Sequence, residues 1–414
     1  MRSNNLKIAH INASDIGSTG KIVMDISQGS FMRGWETIFL FPKRHRDSYG
    51  HVKAFSVSGK YEQGIYRRIY YILGLKYGFA PFSTNKILKH LKKEKPDVVH
   101  LHSINCATVN IYRLLNFLKR NKIPTVVTNH AEFFYTGSCA HAFDCERWKT
   151  GCGKCPSLFL ASDSKLFDRT HTAWKKMKQA FCDFENIEIV SVSPWVYSRA
   201  LRSPILKGLS QSIVLNGVDI ETFKPSNNTN LLSQLKLGKN LKIIVHVTAH
   251  FSDLDKEGKG GAFVFDLAKK MQNQNYVFVI VGPYHVEKEI PNNIRLVGAI
   301  YDQKVLAEYY NIADLCLVTS RRETFGMAVA ESLCCGTPVV GFKSGGSESI
   351  AMAEYTQFVN FGDVDRLKEI ILVDWANKKA KIGSDEIAQR AKLHYAASIM
   401  ANQYCNIYEA LVRR

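Results

Sequence analysis

Short apolar runs alternate along this chain with longer segments whose apolar residues recur every three or four positions. The runs "LKIAHINA" (6–13), "ETIFLF" (36–41), "DVVHLHS" (97–103), "PTVVTNH" (124–130), "NIEIVSVS" (186–193) and "SIVLNGVD" (212–219) read as buried strands. Between them the spacing predicts helices over 20–33, 82–94, 108–120 and 195–202. A polar stretch, "PSNNTN" (225–230), interrupts the series. It restarts with strands "LKIIVHVTAH" (241–250), "YVFVIVG" (276–282), "IRLVGAI" (294–300), "ADLCLVTS" (313–320) and "TPVVGF" (337–342), and with helices over 260–273, 303–312 and 325–335. Strand–helix alternation implies parallel sheets built from βαβ units. Two series imply an α/β chain of two doubly wound domains, 1–205 and 206–394, followed by a closing segment at 395–414. In such sheets ligands bind beyond the carboxyl ends of the strands, which directs attention to the residues that follow each run.

Composition and charge narrow the class. Apolar residues are 46% of 414, enough for sizeable cores and against disorder. The start lacks a signal-peptide core, and no apolar run approaches the ~20 residues of a membrane span. The expected location is the cytoplasm. The net charge is +18, and residues 43–95 hold 13 Lys and Arg against 3 Asp and Glu. Such a concentration suits an anionic partner, or simply a solvated basic face. Aromatic and aliphatic residues of 65–79 interleave with Arg67, Arg68 and Lys76, which favours a membrane surface.

Two segments carry candidate chemistry. "GSTGK" follows the first strand, but a triphosphate loop needs a glycine at position 15 and Ser or Thr at position 22, where Asp15 and Ile22 stand. What remains is a glycine-bracketed strand-to-helix turn, Gly17, Ser18, Thr19 and Gly20, whose N–H groups suit an anion. The second segment, 319–349, reads "TSRRETFGMAVAESLCCGTPVVGFKSGGSES". Glu323 falls in the turn after a strand and Glu331 about two helical turns on. "TFGMA" supplies a helix start suited to a diphosphate, and carboxylates accept hydrogen bonds from vicinal hydroxyls.

The pattern S-x-x-E-x-F-G-x-x-x-x-E, followed by "GTPVVG" and G-G-x-x-E, resembles the family 4 retaining glycosyltransferases. "PDVVHLH", "NGVD" with "FKP", "KGG" and the closing "YCNIYEAL" stand in the order expected of that family. The resemblance implies the GT-B fold: two facing Rossmann-like domains with an interdomain cleft, and a final helix, 395–414, crossing back to the first domain. It implies that Glu323 contacts donor-sugar hydroxyls and Glu331 the ribose hydroxyls. Backbone groups of Phe325, Gly326 and Met327 would meet sugar or phosphate, and Lys259 the diphosphate. The family's arginine near that lysine is absent, and Lys256 is the nearest basic substitute. Gly17 to Gly20 would approach the donor phosphate, His130 would line the site beside the sugar, and His102 would be a further donor contact. No catalytic metal is required, so Asp253 and Asp255 are read as a chance D-x-D.

Cys139, Cys145, Cys152 and Cys155 lie in one stretch after His130, spaced C-x5-C-x6-C-x2-C. Four thiolates can close a structural zinc site, with disulfides or free thiols as alternatives. A subset of the family acting in exopolysaccharide assembly is similar here. The resulting expectation is a retaining glycosyltransferase peripheral to the inner face of the plasma membrane. It would move sugar from a nucleoside-diphosphate donor to a polyprenyl-diphosphate-linked glycan in surface polysaccharide synthesis. A GT-B sugar-nucleotide epimerase and a zinc-containing nucleic-acid-binding protein are the alternatives. The latter leaves the glutamate motif unexplained, so no nucleic-acid partner is expected.

Overall fold

A computed structural model describes residues 5–59, 61–105, 107–226, 230–235, 238, 240–256, 258–375 and 383–414. Residues 227–229 of the polar interruption at 225–230 lie outside them. The chain divides into two compact units, Met1–Leu215 with Met400–Arg414, and Asn216–Ile399. The first unit runs past residue 205 because the strand at 210–213 joins its sheet. The second runs past 394 because Ala396 bridges to Val218.

The strands of the first unit are β1 (Lys7–Ile11), β2 (Glu36–Phe41), β3 (Lys53–Ser56), β4 (Val98–Leu101), β5 (Thr125–Asn129), β6 (Ile187–Ser191) and β7 (Ser210–Ile213). Those of the second are β8 (Lys242–Val247), β9 (Phe251–Ser252), β10 (Tyr276–Val281), β11 (Tyr284–His285), β12 (Ile294–Gly298), β13 (Leu315–Val318), β14 (Val339–Phe342) and β15 (Thr356–Val359). The first sheet has the order β3-β2-β1-β4-β5-β6-β7 and the second β12-β10-β8-β13-β14-β15, while β9 and β11 form a short ribbon. Every ladder is parallel. In each sheet the order reverses once, between β1 and β4 and between β8 and β13. Those are the points where doubly wound sheets open to a ligand.

The final helix, Ala397–Arg413, turns Met400, Tyr404, Cys405, Tyr408 and Leu411 into the core of the first unit, against Ile22, Ile26, Val98 and Val126. Its close approach requires Gly29: a Cβ there would stand 2.6 Å from that of Ala401. Its tyrosines also reach polar groups inside the sheet. Tyr408 Oη lies 2.6 Å from His100 Nδ1, and Tyr404 Oη 2.9 Å from Thr128 Oγ1, itself 2.7 Å from His100 Nε2. His100 therefore has both ring nitrogens satisfied in a fully buried position.

The turn after β1 differs from the expectation. The helix begins at Gly17 and runs to Met32, so Gly17, Ser18, Thr19 and Gly20 form its first turn instead of a loop before it. Gly17 adopts φ +76°, and a Cβ on Gly20 would come within 2.6 Å of the Asp15 carbonyl carbon. Asp15, fully buried, anchors this tight passage. Its carboxylate accepts the His45 N–H at 2.7 Å and the Arg46 N–H at 3.2 Å, meets His45 Nδ1 at 2.5 Å, and also accepts the Tyr49 hydroxyl. Burial by itself raises the Asp15 pKa, but the bonds from Tyr49, His45 and Arg46 outweigh it and hold the pKa at about 2.

A carboxylate whose pKa is depressed on folding stabilises the native state above its unfolded pKa, and this stabilisation fades as pH falls through the folded value. Asp15 should therefore contribute about 2 kcal/mol at neutral pH, lost between about pH 4 and pH 2. Denaturant unfolding of Asp15→Asn should show that deficit at pH 7, and the gap to the wild type should narrow as pH approaches 2.

Candidate active site

In the second unit the chemistry gathers at the ends of β8 and β13. The Asp255 carboxylate accepts the N–H groups of Gly258 at 2.7 Å and Lys259 at 2.6 Å, and Thr319 Oγ1 donates to the Lys259 carbonyl at 2.9 Å. Gly260 then passes so close that a Cβ would lie 2.2 Å from the Thr319 carbonyl oxygen, at φ +73°. This folds Lys259 over the end of β13, where its ammonium meets Glu323 Oε1 at 2.6 Å.

Glu323 is fixed through its backbone: its N–H donates to Ser344 O at 3.0 Å and its carbonyl accepts the Gly346 N–H at 2.8 Å. The second of the paired glycines is the tight one. A Cβ on Gly346 would lie 2.3 Å from the Thr324 carbonyl carbon. Glu348 receives the N–H groups of Ser344 and Gly345 at 2.8 and 2.9 Å, so the G-G-x-x-E motif closes its own turn. Phe325 is buried, and Gly326 at φ +93° caps the helix Met327–Cys334. Glu331 lies on that helix and accepts the Tyr310 hydroxyl at 3.0 Å. Burial first, and then the Glu331 charge, push the Tyr310 pKa well up, so the phenol stays a donor.

Lys256 stands exposed in the turn before Gly258. Arg321 and Arg322, within the quoted motif but given no role from sequence, immediately precede Glu323. The Arg321 N–H donates to Gly258 O at 3.0 Å, and its guanidinium lies 5.8 Å from the Phe361 ring. The D-x-D pair has local work. Asp253, fully buried, accepts the N–H groups of Glu287 and Lys288 at 3.0 and 2.9 Å, while Asp255 shapes the Lys259 turn.

In the first unit three histidines line up at the point of strand reversal. His10 Nδ1 lies 2.9 Å from His102 Nε2, and His102 Nδ1 lies 3.1 Å from His130 Nε2. His130, at the end of β5, retains 9% exposure; His10 and His102 have none. His102, expected as a donor contact, instead lies behind His130 with both nitrogens engaged. Burial holds all of them neutral: His10 and His130 fall to about 3, and His102 well below its ordinary value through burial and the neighbouring rings. His10, His100 and His102 are the one group of candidate ligand atoms within 4.8 Å of one another among the described residues. Apart from His10 Nε2, each of their ring nitrogens pairs with a neighbouring histidine or with a hydroxyl.

The segment after His130 is built on a buried ion pair that sequence reading missed. Arg199 Nε meets Glu132 Oε2 at 2.9 Å, and its guanidinium lies about 5 Å from the rings of both Trp148 and Trp195. Glu132 also accepts the Ala142 N–H at 3.2 Å, and its own N–H donates to the Ala140 carbonyl. Trp148 donates to the Cys145 carbonyl at 2.8 Å, and Trp174 to the Trp148 carbonyl at 2.7 Å. Cys152 and Lys154 take positive φ beside Gly151 and Gly153, so C-x2-C forms a tight knuckle. Burial raises the thiol pKa values of Cys139, Cys152 and Cys155, and the other thiols of the set raise them further. The influence of these thiols on one another places the four cysteines in one neighbourhood.

Comparison with known proteins agrees with this geometry. Residues 19–221 match the family model described as Glycosyltransferase Family 4, and residues 233–379 the one described as Glycosyl transferases group 1. WcaC of Escherichia coli, a glycosyl transferase named for colanic acid biosynthesis, is 23% identical over 76% of this chain and 77% of its own. Among solved structures, a sucrose-phosphate synthase from Thermosynechococcus elongatus superposes with a TM-score of 0.71 at 17% identity, covering 99% of each chain. HepE of Anabaena, solved with UDP, gives 0.67 at 16% identity over 98% of this chain and all of that one. WaaG, a glycosyltransferase of lipopolysaccharide biosynthesis, gives 0.66 at 14% identity over 97% of this chain and 99% of its own. With two parallel-sheet units of GT-B type and the glutamate motif at a strand-reversal point, the chain belongs to the family 4 glycosyltransferases.

Proposed function

We propose that this glycosyltransferase moves a sugar, with retention of configuration, from a nucleoside-diphosphate donor to a lipid-linked glycan during surface polysaccharide synthesis. The observation that carries the reading is the Lys259–Glu323 pair at 2.6 Å. An ammonium suits a phosphate and a carboxylate suits sugar hydroxyls, so the pair matches the junction of sugar and diphosphate. Glu331, oriented by Tyr310, holds the ribose hydroxyls, and the Phe325–Met327 backbone faces the diphosphate. The family resemblance gives His130 the donor sugar as its partner. Gly17 to Gly20 offer the N–H groups of a helix start to the phosphate, and Lys256 adds a solvent-facing charge. In the transfer, the C1–phosphate bond breaks and a C1–oxygen bond forms on the same face. The acceptor hydroxyl proton passes to the departing phosphate, whose growing charge Lys259 offsets. No catalytic metal enters this scheme. WcaC supports the polysaccharide setting, and HepE with UDP-glucose the donor class.

The acceptor and membrane readings rest on the surface of the first unit. Tyr61, Ile65 and Ile72 are more than half exposed, as are Phe159, Leu160 and Phe167. The two segments meet: Lys76 pairs with Asp163 at 2.8 Å, and Gly74 lies against the Phe167 carbonyl. Arg67, Arg68 and Lys165 accompany them, which suits anionic lipid. No described helix is long and apolar enough to cross a membrane. In this reading the exposed basic and apolar face attaches peripherally at the cytoplasmic leaflet. The knuckle thiols Cys152 and Cys155, with Cys139 and Cys145, form the donor set of a structural zinc ion. Zinc would convert mutually repelling thiolates into ligands and staple the loop after His130.

Glu323→Gln should lower transfer at least about 100-fold while changing stability by no more than about 1 kcal/mol, measured by product formation and by denaturant unfolding. Metal analysis of the purified protein should give one zinc per chain, and Cys152→Ser with Cys155→Ser should remove it. Sedimentation with vesicles should show binding to anionic and not to neutral lipid, weakened by Ile72→Glu with Phe167→Glu.

A further inference from the structure

Three helices of the first unit, Pro81–Glu94, Ile111–Arg120 and Thr170–Phe181, surround a cavity of about 590 Å³. Its lining runs from Asn110, which caps the middle helix, to Asn121, which ends it, a span of about 15 Å. Four cations line it: Lys92, Arg113, Arg120 and Lys176. No Asp or Glu is in the lining, and none of the four cations makes an ion pair among the described residues.

The arrangement is costly while the cavity is empty. Arg113, Asn116, Phe117 and Arg120 stand at i, i+3, i+4 and i+7, so one face of the middle helix carries both guanidinium groups. Arg120, in the last turn, complements the negative end of the helix dipole, but Arg113 lies in the first turn, where the dipole disfavours a cation. Lys92 and Lys176 bring like charge from the other two helices, each beside an aromatic wall. Lys92 Nζ lies 5.8 Å from the centre of the Phe117 ring and Lys176 Nζ 6.0 Å from that of Tyr112. Like charges gathered around one concave space repel one another until an anion enters it.

We propose that this cavity binds a diphosphate group, at a site separate from Lys259. Each planar guanidinium can hold phosphate oxygens through two N–H groups, and the lysines add point charges. Four cations are more than one carboxylate would need, and the volume is that of a small-ligand site. The rim indicates one source of the group. The Gly78 carbonyl accepts Asn110 Nδ2 at 3.0 Å, and Gly78 ends the segment that carries Ile72, Gly74 and Lys76 beside the exposed apolar face. A lipid-linked glycan attached at that face brings its diphosphate to this rim. A free phosphate compound offers the same chemistry. The lipid source rests on the acceptor reading, whereas the site itself is read without acceptor or donor.

The test is calorimetric titration with inorganic pyrophosphate of the full chain carrying Lys259→Ala, so that the donor site does not contribute. One site per chain is expected. Adding Arg113→Gln with Lys176→Gln should weaken it at least about 10-fold. Adding instead Lys86→Gln with Lys89→Gln, which removes the same charge from exposed positions outside the cavity, should leave the affinity within about 2-fold. An absence of pyrophosphate binding, or equal weakening by the two pairs, would overturn the proposal. Sedimentation with neutral-lipid vesicles holding a polyprenyl diphosphate identifies the source. Loss of sedimentation in Arg113→Gln with Lys176→Gln assigns the lipid-linked group. Unchanged sedimentation beside weakened pyrophosphate binding assigns a free phosphate compound, and either result supports the site. The donor-site reading fails separately, when no sugar nucleotide shifts the thermal transition.

Discussion

Parallel pairing is the constraint from which the rest of the molecule follows. When every strand of a sheet runs the same way, all carboxyl ends emerge on one side, and the helices that return the chain cover both faces. The residues able to do chemistry then collect at one edge. At the reversal between β8 and β13 these are Lys259 and Glu323; at the reversal between β1 and β4 they are the histidine chain. Residues far apart in sequence become neighbours because their strands end together.

The same architecture sets the terms on which polar groups survive inside. A sheet covered on both faces leaves little water for a side chain on β1 or β4, so each buried polar group needs a protein partner. His100 finds two through Thr128 and Tyr408, which ties the returning C-terminal helix to the strands. Asp15 finds Tyr49 and the 45–46 backbone, and Glu132 finds Arg199 between two tryptophans. These contacts give the first unit its shape at the strand ends. The glycines do the corresponding work in the second unit, where Gly260 and Gly346 let backbone meet backbone at distances any side chain would forbid.

Much of this was legible in the sequence because it is written locally. Buried parallel strands read as short apolar runs, the helices between them as periodic segments, and the glutamate motif as a contiguous string. What was not legible depends on partners distant along the chain. Asp15 looked like a failed glycine of a triphosphate loop, yet it is the buried anchor of the turn, and its partners lie 30 or more residues on. The helix start at Gly17 was read as a turn because nothing nearby announced that anchor. The family resemblance and its place after a strand assigned His102 to the ligand. Its real neighbours, His10 and His130, are 92 and 28 residues away, and no local pattern tells a lining histidine from the one behind it. Arg199 carries no motif at all. Spacing alone marked the four cysteines as a set, but it could not say how far apart their sulfurs would stand.

The central claim is that the carboxyl-end site of the second unit holds a nucleoside-diphosphate sugar. Ligands that bind only the folded state raise its apparent stability by mass action. The most direct measurement is therefore the thermal transition of the purified protein with UDP-, GDP- and ADP-sugars, in parallel with Lys259→Ala. The account predicts a concentration-dependent rise with one donor class and none in the variant. Equal rises in both proteins, or no rise with any donor, would contradict it.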